Sequence, residues 1–169
     1  GAILFDTGAG IESLESVWPA RVRQLEAVFL THVEQEHAGG LCDIVARFKV
    51  PAAFIPEGAQ AACGEGIGEG EVRRFGRLEV VAYATPGHAA AHNCYLVRLL
   101  TAPPGARTLL VSGDLVFAGS VGGAFFSHEK LQSNLRRMLS LVPPCSVIAP
   151  GHGPMTTVEN ELRFNPFVV

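Results

Sequence analysis

The chain has 169 residues, of which 48% are hydrophobic and 17% are charged, and its formal net charge is −3 at pH 7. This length suits one domain, residues 1–169, and the composition excludes a disordered chain. No apolar run approaches the roughly 20 residues of a membrane helix. No block of Lys or Arg is present, so neither a membrane nor nucleic acid is an expected partner.

The predicted elements alternate along the chain. Short apolar runs closed by turn residues predict strands at 2–5, 27–31, 52–55, 78–84, 94–100, 108–111 and 147–149. Helical spacing predicts helices at 14–18, 41–48 and 131–142, and Thr156 with Glu159 predicts a capping box for a short last helix. The glycine-rich stretch 57–71 is predicted to be a surface loop. Sheets covered by helices, an α/β fold class, follow from this mixture.

The four cysteines, Cys42, Cys63, Cys94 and Cys145, lie far apart and form no C-x-x-C pair. This spacing argues against a thiolate zinc site and against a redox dithiol. We therefore predict that they are small buried side chains of a cytoplasmic protein in a reducing compartment.

Polar residues follow four of the predicted strands. His32, His88, Asp114 and His152 each lie at or just beyond the carboxyl end of a strand. Strand ends at one sheet edge converge in space, and converging buried polar groups favour a metal ion. Imidazole and carboxylate suit zinc, iron or manganese. His92 lacks the pattern, but it lies four residues after His88 and is a candidate for orienting a ligand.

Five motifs in register resemble those of the metallo-β-lactamase superfamily over nearly the whole chain. They are Phe5-Asp6-Thr7-Gly8, Thr31-His32-Val33-Glu34-Gln35-Glu36-His37-Ala38-Gly39-Gly40, Thr85-Pro86-Gly87-His88, Ser112-Gly113-Asp114 and Pro150-Gly151-His152-Gly153-Pro154. Within the superfamily, the stretch 113–123 and the ending Asn165-Pro166-Phe167 resemble glyoxalase II-like hydrolases.

The resemblance implies an αβ/βα sandwich and a site for two divalent metal ions, zinc by default. One ion would be held by His32, His88 and Asp114, and the other by His37, His152 and the bridging Asp114. A metal-bridging hydroxide would cleave a small thioester or ester, with Asp114 and Glu36 as the catalytic carboxylates. Because the family has strands before its D-x-G turn, we also expect one or two strands to precede Gly1.

Three departures from the family pattern bear on function. Glu34 stands where the family has its second histidine, and Glu36 stands where it has an aspartate. A glutamate in the first of these positions resembles the iron-binding segment of flavodiiron proteins, although residues 1–169 do not include a flavodoxin-like domain. Relatives of the glyoxalase II type often place Arg or Lys after Gly122, where this chain has Gly123. A basic clamp for glutathione is therefore not evident, although Arg73, Arg74 and Lys130 are alternatives.

Three functions remain open on this basis. The first is thioester hydrolysis of a small-molecule substrate. The second is a non-hydrolytic di-iron or mono-iron protein that binds oxygen, transfers electrons or oxidises a thiol-derived substrate, and Glu34, as a predicted ligand, favours it. The third is a degenerate binding module, which the retained ligand motifs disfavour. A second copy of the chain is a further candidate partner.

Overall fold

A computed structural model of the protein describes residues 1–10 and 22–168. The helix predicted at 14–18 lies outside these residues. The chain divides into two compact units, Gly1–Ile67 and Gly68–Val169. Within the described ranges, no helix is both long enough and apolar enough to cross a bilayer.

The first unit is built on a parallel sheet of four strands in the order β1-β2-β3-β4. The strands are β1 Ala2–Phe5, β2 Leu25–Phe29, β3 Ala53–Pro56 and β4 Glu65–Ile67, and the helices are α1 Gln35–Ala38 and α2 Leu41–Phe48. Leu41 and Ile44 of α2 are buried in one cluster with Leu25 and Val28 of β2. This i, i+3 spacing presents one apolar stripe of α2 to the sheet, as the sequence predicts.

The second unit contains a six-stranded mixed sheet in the order β12-β11-β8-β7-β6-β5 and a small two-stranded sheet. Its strands are β5 Val72–Phe75, β6 Leu78–Ala84, β7 Asn93–Leu99, β8 Leu109–Gly113, β9 Val116–Phe117, β10 Ser120–Val121, β11 Val147–Pro150 and β12 Thr156–Thr157; its helices are α3 His128–Leu141 and α4 Val158–Phe164. Leu131, Leu135 and Met138 of α3 share a buried cluster with Leu110 and Ile148 of the sheet. The predicted α/β fold class is confirmed.

Two local predictions, the surface loop and the capping box, differ from the structure. In each case a hydrogen-bond partner that the sequence pattern does not indicate decides the conformation. Part of the stretch 57–71 forms β4, because its backbone pairs in parallel with β3. The last helix is capped by Thr157, which accepts a hydrogen bond from the Asn160 amide at 3.3 Å, and not by Thr156. Thr156 donates instead to Glu161 at 2.6 Å. The capping box was therefore predicted one residue too early.

The first strand lies at an edge of its sheet. β1 pairs with β2, and its four residues are half-buried. Among the described residues no strand pairs with the other side of β1. An apolar edge of this kind normally needs cover. That strands precede Gly1 in the native chain stays a prediction.

The cysteine prediction is wrong for three of the four residues, since Cys94 alone among them is a buried free thiol. Cys42, in the first turn of α2, and Cys63, just before β4, form a disulfide across a Cα–Cα distance of 5.9 Å. Folding brings together two residues that are 21 positions apart, which their spacing alone does not indicate. Closing a loop of this size stabilises the folded state by about 3 kcal/mol. Cys94 is buried and Cys145 is exposed, both as free thiols.

Thiol counting tests this assignment. Burial raises the pKa of Cys94 to about 12, so its thiol should stay protonated and unreactive in the native protein. Without reductant, we expect a thiol reagent to label one cysteine in the native protein (Cys145), two after unfolding in guanidinium chloride, and four after reduction. Three or four reactive thiols in the unfolded, unreduced protein would show that Cys42 and Cys63 are not bonded.

Candidate metal centre

In the first unit, a buried hydrogen-bond network joins the ends of β1 and β2. Because the two strands are parallel neighbours, Asp6 and Thr31 emerge at the same end of the sheet. Asp6 adopts a left-handed backbone conformation with φ of 53°, which turns the chain sharply after β1. Its Oδ1 accepts the Thr31 amide at 2.7 Å, and its Oδ2 accepts the Thr31 hydroxyl at 2.8 Å.

This network sets the tautomers of two buried histidines. His37 Nδ1 donates to Asp6 Oδ2 at 2.8 Å, since an ionised carboxylate only accepts. The Thr31 hydroxyl proton is given to Asp6, so the Thr31 oxygen accepts from His32 Nδ1 at 3.0 Å. Both rings therefore carry their proton on Nδ1 and present the basic Nε2 for a metal. The two ring centroids lie 4.0 Å apart.

Two glutamates lie beside these histidines. Glu34 is the N-cap residue of α1, but its side chain makes no capping hydrogen bond. Its Oε2 is 3.9 Å from His32 Nε2, and its side chain is 44% exposed. Glu36, exposed in the first turn of α1, has a carboxylate oxygen within 4.8 Å of a ring nitrogen of His37. Two ligands that are each about 2.1 Å from one ion lie about 3.0–4.2 Å apart, so the distance allows Glu34 and His32 to share an ion. Glu34 is nevertheless not among the mutually close donor atoms that are grouped with His32.

In the second unit, two histidines converge on one carboxylate. His88, Asp114 and His152 follow β6, β8 and β11, respectively. Asp114 Oδ2 lies 3.6 Å from Nε2 of both His88 and His152. That separation is too long for a hydrogen bond and matches two ligands of one ion about 2.1 Å from each. Asp114 and His88 are buried, whereas the His152 side chain is 49% exposed. The donors fit a divalent transition metal.

Two glycines allow the close approaches that hold His88 and Asp114. Gly87 has φ of 155°, and a Cβ there would lie 2.5 Å from the Leu131 Cα of α3. A Cβ at Gly122 would lie 1.9 Å from the Asp114 carbonyl oxygen. Any other residue at these positions would push the backbone away from Asp114 or from α3. His88 Nδ1 donates to the Gly123 carbonyl at 2.8 Å, so this ring too presents Nε2.

The neighbouring His92 is held by contacts that give it a different role. Its Nε2 accepts the Asp114 backbone amide at 3.1 Å, so its proton is on Nδ1, which donates to Thr85 Oγ1 at 2.8 Å. The Thr85 hydroxyl contacts Cys94 Sγ at 3.4 Å, and Cys94 contacts the Ser112 carbonyl at 3.4 Å. With its lone pair directed to a backbone amide, His92 positions Asp114 and does not face a metal.

Replacing His92 tests this positioning role. His92→Leu leaves the buried Asp114 amide without its acceptor, and we expect metal affinity to fall by roughly 10–100-fold, as for other lost outer-shell partners. His92→Gln supplies a new acceptor and should restore part of the affinity. The exposed His128 offers a control, His128→Gln, which should bind metal like the unchanged protein. Equal affinities for the Leu variant and the control would refute the role.

Two buried side chains, Glu161 of α4 and Asn165 just after that helix, hold the loop that follows Asp114. Glu161 Oε2 accepts from the Gly119 amide at 2.9 Å and from Asn165 Nδ2 at 2.8 Å. Asn165 Nδ2 also donates to the Ser120 carbonyl at 2.9 Å. The two side chains are 3% and 0% exposed. They fix the β9–β10 turn, and this is the structural role of the ending that resembles glyoxalase II.

The predicted site residues thus fall into two sets. The first unit holds His32, Glu34, Glu36 and His37 within one short segment, and the second unit brings together His88, Asp114 and His152. Sequence reasoning missed the orienting roles of Asp6, Thr31 and Glu161. For Asp6 a signal existed, since Asp-Thr-Gly directly follows a strand, as the ligand motifs do. For Glu161 no sequence signal existed, because the loop residue that it holds, Gly119, lies 42 positions away.

Comparison with known proteins places the chain in a family. The model of the metallo-β-lactamase superfamily matches residues 1–152. An uncharacterised protein of Aquifex aeolicus (strain VF5) is 30% identical over 189 positions, covering 98% of this chain and 85% of that protein.

Solved structures agree with this placement. TTHA1623, whose crystal structure is of a di-iron-bound form, is 28% identical, with 96% of this chain and 87% of that chain covered and a TM-score of 0.77. ETHE1 from Myxococcus xanthus is 24% identical, with coverages of 97% and 72% and a TM-score of 0.79, and it shares the fold. The BLEG-1 B3 metallo-β-lactamase shares it too, at 21% identity, coverages of 98% and 88% and a TM-score of 0.81. The chain belongs to the metallo-β-lactamase superfamily.

Proposed function

We propose that the chain is a metal-dependent hydrolase that cleaves a small thioester or a related ester. The observation that carries this proposal is the convergence of His88 and His152 on Asp114, with 3.6 Å from Oδ2 to each Nε2. Three histidines, His32, His37 and His88, have hydrogen-bond partners at Nδ1 that assign the proton to that nitrogen, so each presents Nε2 in the state that a metal requires.

The ligand assignment in this proposal follows the motifs. By the family motifs, His32, His88 and Asp114 would hold one ion, and His37, His152 and Asp114 would hold the other. Glu34 and Glu36 add carboxylates, Glu34 next to His32 and Glu36 next to His37. When bound, divalent metals lower the pKa of water and polarise a carbonyl oxygen.

The two candidate side-chain nucleophiles near Asp114, Ser112 and Cys94, are both unsuited to attack, which supports water as the nucleophile. The Ser112 hydroxyl is buried and donates to the Val116 carbonyl at 2.8 Å, so it is committed to structure. Burial raises the pKa of the Cys94 thiol to about 12, which leaves almost no thiolate at neutral pH. An acyl-enzyme route through either residue is therefore disfavoured.

In the proposed step, the oxygen of water bonds to the acyl carbon while the carbon–sulfur bond breaks. One proton of the water passes to the Glu36 carboxylate, and the departing thiolate recovers a proton to leave as the thiol. His92 fixes Asp114 through its backbone amide, and the Gly123 carbonyl fixes the ring of His88. A thioester suits this site, because its carbonyl is electrophilic and a thiolate leaves readily.

Thiol release from a panel of acyl thioesters tests the proposal. We expect hydrolysis that disappears when a chelator removes the metal and returns when metal is added back. His128→Gln should behave like the unchanged protein, because His128 is an exposed residue of α3. If no thioester gives metal-dependent thiol release, hydrolysis is not the function.

A second candidate function has its own support. Glu34 lies 3.9 Å from His32 Nε2, and a similar structure, that of TTHA1623, is of a di-iron-bound form. Three ligand carboxylates favour a metal that can reach a higher oxidation state, as iron can and zinc cannot. The alternative is therefore a non-hydrolytic iron protein that binds oxygen, transfers electrons or oxidises a thiol-derived substrate. An absorption spectrum separates the two, since zinc is colourless.

A further inference from the structure

An exposed aromatic ring lies beside a predicted metal ligand in the second unit. Phe125 is 81% exposed, and its ring centroid is 5.2 Å from that of His88. An aromatic ring left in water forgoes the free energy of burial, so an exposed ring next to a site is a candidate for ligand contact. The neighbouring Phe126 is also exposed, at 49%.

The loop that carries Phe125 is anchored on both sides. Before it, the Gly123 carbonyl accepts from His88 Nδ1 at 2.8 Å. After it, the amides of Phe126 and Ser127 both donate to the Gly87 carbonyl, at 3.1 and 3.0 Å. These bonds tie the ring to the same residues that place His88. The backbone on both sides of Phe125 is thus held in place before any substrate arrives, which lowers the cost of binding.

The ring occupies the space that a side chain at position 123 would need. A Cβ on Gly123 would lie 2.7 Å from Phe125 Cζ, so a larger residue there would displace the ring. This is the position at which similar hydrolases of the glyoxalase II type often carry Arg or Lys. In this chain, glycine removes the charge and makes room for an apolar surface.

The three cations that could replace that charge, Arg73, Arg74 and Lys130, each make a contact elsewhere. Arg73 pairs with Glu71 at 3.0 Å, and Arg74 pairs with the buried Glu79 at 2.9 Å. Lys130 lies over the Phe126 ring, with Nζ 5.2 Å from its centroid. The loop that carries Phe125 therefore offers an aromatic surface next to His88. The one cation close to this loop, Lys130, lies over Phe126.

From this geometry we propose that Phe125 binds an uncharged apolar group next to the reacting carbonyl, so that the acyl chain of the substrate is aryl or alkyl. Because glycine stands at position 123, where a cation would meet a glutathione carboxylate, we expect the thiol half not to be glutathione. This proposal rests on the proposed hydrolase function for the reaction. It goes further in naming the recognised group and the residue that contacts it.

Binding of inert thioethers to the metal-loaded protein tests the proposal without turnover. The probes are S-(2-phenylethyl)-N-acetylcysteamine and S-ethylglutathione, titrated by calorimetry. The phenylethyl probe should bind more tightly, and Phe125→Ala should weaken it about tenfold through lost apolar contact. Gly123→Ala, which displaces the ring, should weaken it as well. The control Phe164→Ala removes a phenylalanine that is 67% exposed on α4, and it should change the affinity less than about twofold.

Several results would overturn the inference. They are no binding of the phenylethyl probe, equal binding by Phe125→Ala, or tighter binding of S-ethylglutathione that is lost in Lys130→Met. Kinetics separate this inference from the reaction itself. If phenylacetyl and acetyl thioesters are hydrolysed with equal kcat/KM, the apolar preference fails and the hydrolase stands. If the phenylethyl probe binds through Phe125 but no thioester is cleaved, the hydrolase fails and the apolar site stands.

Discussion

Asp114→Asn is expected to remove most of the bound metal and to lower metal-dependent turnover by roughly a hundredfold or more, since even outer-shell losses cost about 10–100-fold in affinity. The substitution keeps the shape of the side chain but removes the charge on which His88 and His152 converge at 3.6 Å. Because Asp114 is proposed to serve both ions, both should be affected.

The fold should survive this change. Asp114 is 4% exposed, and in the metal-free protein its neutralisation removes a buried charge, so thermal unfolding of the apoprotein should not occur at a lower temperature. Asp43→Asn offers a matched control, because Asp43 is exposed on α2. Metal content by elemental analysis, circular dichroism and thiol release complete the comparison. An Asn variant that keeps its metal would remove Asp114 from the ligand set.

Glu34→His is expected to shift the bound metal from iron toward zinc and to raise thioester turnover at neutral pH by roughly three- to tenfold. The reason is charge. With Glu34, Glu36 and Asp114 the proposed ligands carry −3, and the substitution leaves −2. A less negative ligand set makes the metals stronger Lewis acids and removes the preference for a higher oxidation state.

The measurement is the iron-to-zinc ratio after growth with both metals, together with turnover. Glu57→His, at an exposed glutamate of the same unit, controls for adding an imidazole to the surface. The side chain of Glu34 is 44% exposed, so the competing possibility is that it turns to solvent. In that case Glu34→His would leave both the ratio and the turnover unchanged, and the charge argument would fail.

The positions of the core elements could be predicted from sequence because their patterns are local. Alternation at 78–84 and helical spacing at 41–48 both depend on residues a few positions apart, and β6 and α2 follow these bounds. β4 could not be predicted, because its glycine-rich sequence becomes a strand through pairing with β3. The Cys42–Cys63 bond was missed for the same reason, since it depends on a distant contact.

The candidate site shows the same division. The residues proposed as ligands stand out because each follows a strand in a recognisable motif. The residues that orient them do not, since their roles depend on contacts made after folding. Asp6 reaches His37 across 31 positions, and His92 reaches the Asp114 amide across 22. Similarity to a family supplied the ligand types, whereas the structure supplied the tautomers and the partners that set them.

Metal content per chain tests the central claim most directly. Protein produced in medium that supplies iron and manganese, with no zinc added beyond its trace content, should contain about two metal equivalents per chain. Removing Asp114 or His88 should lower that value, whereas His128→Gln should not. An absorption spectrum of the same sample then identifies iron or points to zinc. A folded protein that holds almost no metal under these conditions, and takes up none when metal is added, would contradict the account.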